Sequence, residues 1–265
     1  MSDDQPLQPG NENEAQIQPP TRGFPVWTAW DILLLLFFAG FALLFVGTLA
    51  LSVSHLVKLK FPDWALWRHP AREGLAALLL QILLDAVLLL YVYFTITLKY
   101  GAPFLPSLRW TSVPARPARF YLSLGFVLAL TILGLSAVLP TPAKPPIEQL
   151  LRHKETAFLF AAMGVLVAPF VEEVIFRGFI FPVIEKILGK VGGIVITAGL
   201  FTSVHVGQLW GSWSAVALIL LVGTVLSTAR ALTGSLTPSF LIHLSYNATI
   251  TLLFLMGVLV KGFPV

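Results

Sequence analysis

Long uncharged stretches are the feature that most constrains what this chain can fold into. Residues 32–57 carry no formal charge, and a helix needs about 20 apolar residues to cross the hydrocarbon core of a bilayer. Only 11% of the 265 residues are charged, whereas soluble domains contain roughly 25%. The sequence therefore predicts an integral membrane protein, and it excludes a soluble enzyme, a nucleic-acid-binding protein and a disordered scaffold.

Basic residues and cysteines narrow the class of protein further. The 17 Lys and Arg against 13 Asp and Glu give a net charge of +4. Nearly all of these cations flank apolar stretches, as they do at membrane surfaces, so we expect their partner to be the lipid bilayer and not nucleic acid. Cysteine is absent, which excludes disulfides, thiolate metal sites and a cysteine nucleophile.

The apolar segments predict an all-α fold, a polytopic helical bundle of about seven (six to eight) transmembrane helices in the cell membrane. The predicted spans are residues 32–57, 74–98, 120–139, 156–188, 192–207, 214–232 and 236–260. Residues 1–23 are polar and contain no aromatic residue, which predicts a disordered tail. Residues 24–155 would hold the N-terminal helices, and residues 156–265 a C-terminal core of four spans.

A cluster of charges lies inside the fourth span. A charge at mid-bilayer costs roughly 2.5–3.5 kcal/mol, so such residues are functional candidates by default. Glu173 and Arg177 stand at i and i+4 in the favourable order, which predicts an ion pair and leaves Glu172 unpaired beside a like charge. That setting suits a general base, although the same residues could form an ion pair that only fixes helix packing. Pro169 removes a backbone donor just before them and predicts an irregular helix there.

Two histidines and an asparagine lie inside other spans. His205 is in the fifth span, and His243 and Asn247 share one helical face of the seventh. If the spans bundle, one pocket can collect these side chains with Glu172. Glu172 could then take a proton from water that His205 orients, and His243 with Asn247 could stabilise an oxyanion, as peptide hydrolysis requires.

A metal site is the alternative assembly of the same residues. Glu172, His205 and His243 would be three ligands of Zn²⁺, which would acidify a bound water. The residue spacing does not choose between the two assemblies.

Three short motifs in the C-terminal half resemble those of one protease family. Residues 172–177 resemble an EExxxR motif, residues 201–205 an FxxxH motif and residues 243–247 an HxxxN motif. In this order, on separate apolar segments, they resemble the CAAX prenyl protease and bacteriocin-processing (CPBP, or Abi) family of intramembrane proteases. The resemblance covers about residues 160–250, so the C-terminal core is the expected catalytic core.

The resemblance implies a glutamate-dependent membrane endopeptidase. Glu172 would activate water, His205 would match the first histidine of the family, and His243 with Asn247 its oxyanion-binding pair. Glu173 and Arg177 would be supporting residues. The family is often labelled metalloprotease, and a metal-free mechanism is also argued for it. Its substrates imply a protein or peptide partner at the membrane, prenylated or bacteriocin-like.

Two functions of other classes remain open. A proton-coupled transporter also needs intramembrane carboxylates and histidines and often contains a broken helix, although no paired hydrophobic halves are visible. A non-catalytic membrane protein of the bacteriocin-immunity type would keep the fold without turnover. The sequence predicts no oligomeric state.

Three further polar sites are interpreted as structural. Gln81 and Asp85, at i and i+4 in the second span, would form an interhelical hydrogen bond. Asp31 would cap the first helix, and Arg230 would extend to the lipid headgroups.

Overall fold

A computed structural model describes residues 23–64, 69, 71–140 and 153–261. Every regular element in these ranges is a helix. The predicted tail over residues 1–23 lies outside the described residues, apart from Gly23.

Nine α-helices and three π-helical segments follow one another along the described residues. The α-helices are α1 (Ala29–Lys60), α2 (Arg72–Phe94), α3 (Phe104–Ser107), α4 (Ala115–Val138), α5 (Lys154–Ala162), α6 (Ala168–Glu172), α7 (Phe181–His205), α8 (Trp213–Thr233) and α9 (Leu236–Lys261). The π-helical segments are Thr95–Lys99, Met163–Val167 and Glu173–Ile180.

Six helical runs of the described chain are long and apolar enough to cross a membrane. One of them, Lys154–His205, is 52 residues long, and it is broken at Gly189, whose φ of 71° and ψ of 178° are not helical. This break falls where the sequence separates the fourth and fifth predicted spans. The prediction of an all-α, multi-pass membrane protein with six to eight spans is therefore confirmed.

Close helix packing positions the C-terminal core. Helix α4 packs along α9, and α7 packs along α8. At Gly125 the backbones of α4 and α9 approach so closely that an added Cβ would overlap the carbonyl oxygen of Ile242. Because His243 follows Ile242, this contact sets the position of a predicted site residue.

The start of α1 is fixed by Asp31. Its side chain accepts hydrogen bonds from the backbone N–H and hydroxyl of Thr28 at 2.9 and 3.0 Å, which confirms the predicted helix cap. The same carboxylate pairs with Lys99 and accepts a hydrogen bond from the Tyr100 hydroxyl at 2.6 Å. Asp31 therefore also joins the start of α1 to the end of the helical run Arg72–Lys99.

Candidate active site

The helix that carries the two glutamates is irregular on both sides of Glu172. Pro169 is the second residue of α6, and the π-helical segment Met163–Val167 directly precedes that short helix, as the missing N–H of proline predicts. A second π-helical segment, Glu173–Ile180, follows, and all eight of its residues are buried. π-helical geometry within an α-helix is frequent at functional sites, and this segment contains Glu173 and Arg177.

Glu173 and Arg177 form a completely buried ion pair. The Arg177 Nη1 donates to Glu173 Oε1 at 3.0 Å, and both side chains are 0% exposed. The guanidinium also donates to the Gly223 carbonyl at 3.1 Å and to the Ser227 hydroxyl at 3.4 Å, and it lies 4.4 Å from the centre of the Phe201 ring. The predicted i,i+4 pair is therefore present, and it binds the π-helical segment to α8.

His243 contacts both glutamates from α9. Its Nδ1 lies 3.0 Å from Glu173 Oε1, the same oxygen that Arg177 contacts. Its Nε2 lies 3.6 Å from Glu172 Oε2. Since an ionised carboxylate only accepts hydrogen bonds, Nδ1 of His243 carries the proton. The ring is thus oriented with Nε2 toward Glu172.

His205 faces Glu172 from the end of α7. Its Nδ1 lies 2.8 Å from the carbonyl oxygen of Phe201, and a carbonyl can only accept, so this nitrogen also carries the proton. Its Nε2 lies 3.9 Å from Glu172 Oε1. Two imidazole Nε2 atoms therefore converge on one carboxylate, and neither distance is short enough for a direct hydrogen bond.

Asn247 lies on the same face of α9 as His243, one turn further on. Its Nδ2 donates to the Gly164 carbonyl at 2.7 Å, in the π-helical segment before Pro169. An amide nitrogen carries two protons, so this contact uses one of them. The structure joins five of the six predicted site residues through successive contacts, while Asn247 contacts the neighbouring backbone; the five are Arg177, Glu173, His243, Glu172 and His205.

Glu172 and His205 line a cavity of about 210 Å³. Apolar side chains of α1, α2 and the π-helical segment Glu173–Ile180 contribute to its wall, among them Leu35, Leu88 and Ile175. Gln81 and Asp85 of α2 line it as well. Cavities with mostly apolar walls and a few polar groups are typical of ligand sites, and this one exposes the carboxylate on which both histidines converge.

Two residues support this region in ways that sequence reasoning missed. Arg230 is 2% exposed, and its Nε donates to the Arg177 carbonyl at 3.0 Å, so the interpretation that it extends to the headgroups is wrong. Trp27, just before α1, donates from Nε1 to the Phe179 carbonyl at 2.7 Å. Arg230 lies in the last turn of α8, which ends at Thr233, so its position along the helix carries no signal of its burial.

The metal alternative can be compared with this geometry. Among the residues that the structure describes, no group of three or more His, Asp or Glu side chains is arranged to hold a metal ion. The zinc ligand set of Glu172, His205 and His243 stays a prediction.

The fold and the site together define a multi-pass membrane protein with a buried glutamate–histidine centre beside a cavity. Residues 154–249, less than half of the chain, match the family model described as Rce1-like, type II CAAX prenyl endopeptidase, so this segment is similar to that family of membrane endopeptidases. The matched segment contains every predicted site residue, and the resemblance inferred from the three motifs is confirmed. Comparisons with curated proteins and with solved structures gave no match.

Proposed function

We propose that this protein is an endopeptidase that hydrolyses a peptide bond of a protein or peptide substrate in or near the membrane. One observation carries the proposal: the Nε2 atoms of His205 and His243 lie 3.9 and 3.6 Å from a Glu172 carboxylate that lines a cavity. The family match over residues 154–249 supports the same reaction class.

The distances of 3.9 and 3.6 Å from the Glu172 carboxylate to the Nε2 atoms of His205 and His243 suit a bridging water molecule. Polar groups separated by more than 3.5 Å are commonly joined by one. In its neutral form the His205 ring presents a lone pair at Nε2, because its Nδ1 carries the proton. A water donating one O–H to Glu172 and the other to His205 keeps an oxygen lone pair for attack on a substrate carbonyl. His205 would thus orient the water that Glu172 activates.

Glu172 can carry the one proton that must be transferred during hydrolysis of the peptide bond. Glu172 accepts a proton from the water as the water oxygen bonds to the carbonyl carbon, and the carbonyl electrons move to its oxygen. When the tetrahedral species collapses, the C–N bond breaks and the proton on Glu172 passes to the leaving nitrogen. General-base catalysis of this kind contributes about 10²–10⁴-fold in rate.

The oxyanion would be stabilised from α9. His243 in its doubly protonated form donates from Nε2, and Asn247 has a second amide proton beside the one it donates to Gly164. Donors placed where the negative charge develops are worth about 10²–10³-fold each. Glu173 and Arg177 would act as supporting residues, since Glu173 holds Nδ1 of His243. No step uses a metal.

The substrate class follows from the family name. A peptide carrying a prenylated cysteine in a CAAX sequence is the first substrate to test, and a bacteriocin-like peptide is the second. The probes are quenched fluorogenic peptides of both kinds, with an unprenylated copy of the first. They are incubated with wild-type protein in lipid nanodiscs, with and without a chelator.

Four variants decide the result. Glu172→Gln, His205→Asn and His243→Asn should each lose cleavage, whereas Glu155→Gln, an exposed carboxylate at the start of α5, should keep it. Cleavage that survives Glu172→Gln would refute the mechanism. Loss with chelator and recovery with Zn²⁺ would favour the metal alternative. Failure of wild type to cleave, with proton uptake into vesicles that requires Glu172, would favour a transporter.

A further inference from the structure

Two polar residues of α2 line the cavity, although the proposed reaction does not require them. Gln81 and Asp85 lie on one face of α2, and both line the cavity that Glu172 and His205 line. Asp85 is half-buried. The expectation of an interhelical hydrogen bond is wrong for this pair, because Gln81 Nε2 donates to Asp85 Oδ1 within α2 at 2.7 Å.

This contact leaves a surplus of hydrogen-bond acceptors. Because a carboxylate only accepts, the amide nitrogen of Gln81 must face Asp85, and the amide oxygen of Gln81 stays available. Asp85 can accept several hydrogen bonds, and Gln81 is the one donor to it that we find within the described residues. Together with Glu172 of α6, the cavity therefore presents acceptor atoms from two helices.

No Lys or Arg side chain lines the cavity beside these acceptors among the described residues. The nearby Arg177 is committed to Glu173, Gly223 and Ser227. Asp85 lies near the middle of the 28-residue apolar run Arg72–Lys99. A carboxylate at that depth costs roughly 2.5–3.5 kcal/mol, and one amide donor offsets little of this. A positively charged ligand group would satisfy it.

We propose that Asp85, assisted by Gln81, is a specificity-determining residue of the cavity and binds a lysine or arginine side chain of the substrate. At about 210 Å³ the cavity is smaller than the roughly 300–1,000 Å³ of most small-molecule sites, so it admits a side chain and not a whole ligand. Charge-assisted hydrogen bonds are about twice as strong as neutral ones. This inference rests on the proposed function, because it assigns the substrate of the same site.

The test uses pairs of fluorogenic peptides that differ at one position, where one peptide has lysine and the other norleucine. Separate pairs place this position at each of the three residues on either side of the cleaved bond. At one position, wild-type kcat/KM should be about tenfold higher or more for the lysine peptide. Asp85→Asn should reduce this ratio to about one, and Asp85→Glu should restore most of it. Glu73→Gln, an exposed carboxylate on the same helix, should keep the ratio of wild type.

A binding measurement separates this inference from the proposed function. The uncleaved lysine and norleucine peptides are titrated into Glu172→Gln protein in nanodiscs, and fluorescence anisotropy gives Kd. The lysine peptide should bind about tenfold more tightly, and the added change Asp85→Asn should remove the difference. If wild type cleaves nothing while this preference holds, the proposed function fails and the binding site stands. Equal losses for both peptides in Asp85→Asn, with the ratio unchanged, would overturn the inference.

Discussion

Glu173 and His243 lie 70 positions apart in the sequence and meet in a buried hydrogen bond of 3.0 Å. The same oxygen of Glu173 accepts from Arg177 at 3.0 Å, so one atom joins α9 to the π-helical segment and, through Arg177, to α8. The second oxygen, Oε2, is buried without a hydrogen-bond partner among the described residues. The orientation of a predicted catalytic histidine therefore depends on a charge that Arg177 compensates.

Replacement of that charge should destabilise the protein strongly. Glu173→Gln keeps the shape of the side chain but leaves Arg177 buried without a counter-charge, and breaking a buried ion pair costs about 3–5 kcal/mol. We expect the free energy of unfolding in detergent micelles to fall by that amount, with loss of cleavage because His243 loses its orientation. Glu155→Gln, at an exposed site, is the control. A stability equal to that of wild type would show that the pair contributes nothing to the fold.

Replacement of Glu172 should reduce catalysis without reducing the stability of the protein, in contrast to replacement of Glu173. Its carboxylate makes no hydrogen bond shorter than 3.5 Å to the described residues, and its contacts with His205 and His243 are 3.9 and 3.6 Å. Glu172→Gln should therefore leave the free energy of unfolding unchanged or higher, while kcat falls about 10²–10⁴-fold as for loss of a general base. Thermal unfolding and single-turnover cleavage measure the two effects. A loss of stability as large as that of Glu173→Gln would contradict the assigned roles.

Local features of this site could be predicted from the sequence. The Glu173–Arg177 pair follows from i,i+4 spacing, and the irregular helix follows from the missing donor of Pro169. Both depend only on neighbours along the chain. The division of the run Lys154–His205 was also visible, because the predicted spans end and begin on either side of Gly189.

Contacts between distant segments could not be predicted in the same way. The hydrogen bonds of Trp27 to Phe179 and of Arg230 to the Arg177 carbonyl depend on how helices pack, which residue spacing does not encode. For the same reason Asp85 was assigned to a helix contact. Asp85 lies instead on the cavity wall, because α2 lines the same cavity as α6 and the π-helical segment Glu173–Ile180.

The contact between α4 and α9 predicts a large effect of one methyl group. A Cβ at Gly125 would overlap the carbonyl oxygen of Ile242 and lie 2.8 Å from the Cβ of Ser245. A backbone atom cannot rotate away, so Gly125→Ala should cost about 1–3 kcal/mol or more and reduce cleavage by moving His243.

A second glycine of α4 is the matched control. An added Cβ at Gly134 meets no heavy atom within 4 Å, so Gly134→Ala should leave activity unchanged and stability the same or slightly higher, since alanine is favoured over glycine in a helix. Unfolding curves in detergent and kcat/KM compare the two variants. Equal behaviour of both would show that α4 and α9 do not approach as closely as the structure indicates.

Trp27, just before α1, should stabilise the π-helical segment Glu173–Ile180. Its ring stacks on Phe179 with centroids 5.1 Å apart and planes inclined by 12°, and its Nε1 donates to the Phe179 carbonyl at 2.7 Å. Trp27→Phe keeps the stacking and should lose about 0.5–1.5 kcal/mol, the net value of one hydrogen bond. Trp27→Ala also leaves a cavity and should lose about 3–5 kcal/mol.

Thermal unfolding followed by circular dichroism measures both losses. The control is Trp30→Phe, at an exposed site in the first turn of α1, which should cause no loss. If Trp27→Phe and Trp27→Ala lose equal stability, the stacking contributes nothing and the hydrogen bond alone accounts for the contact.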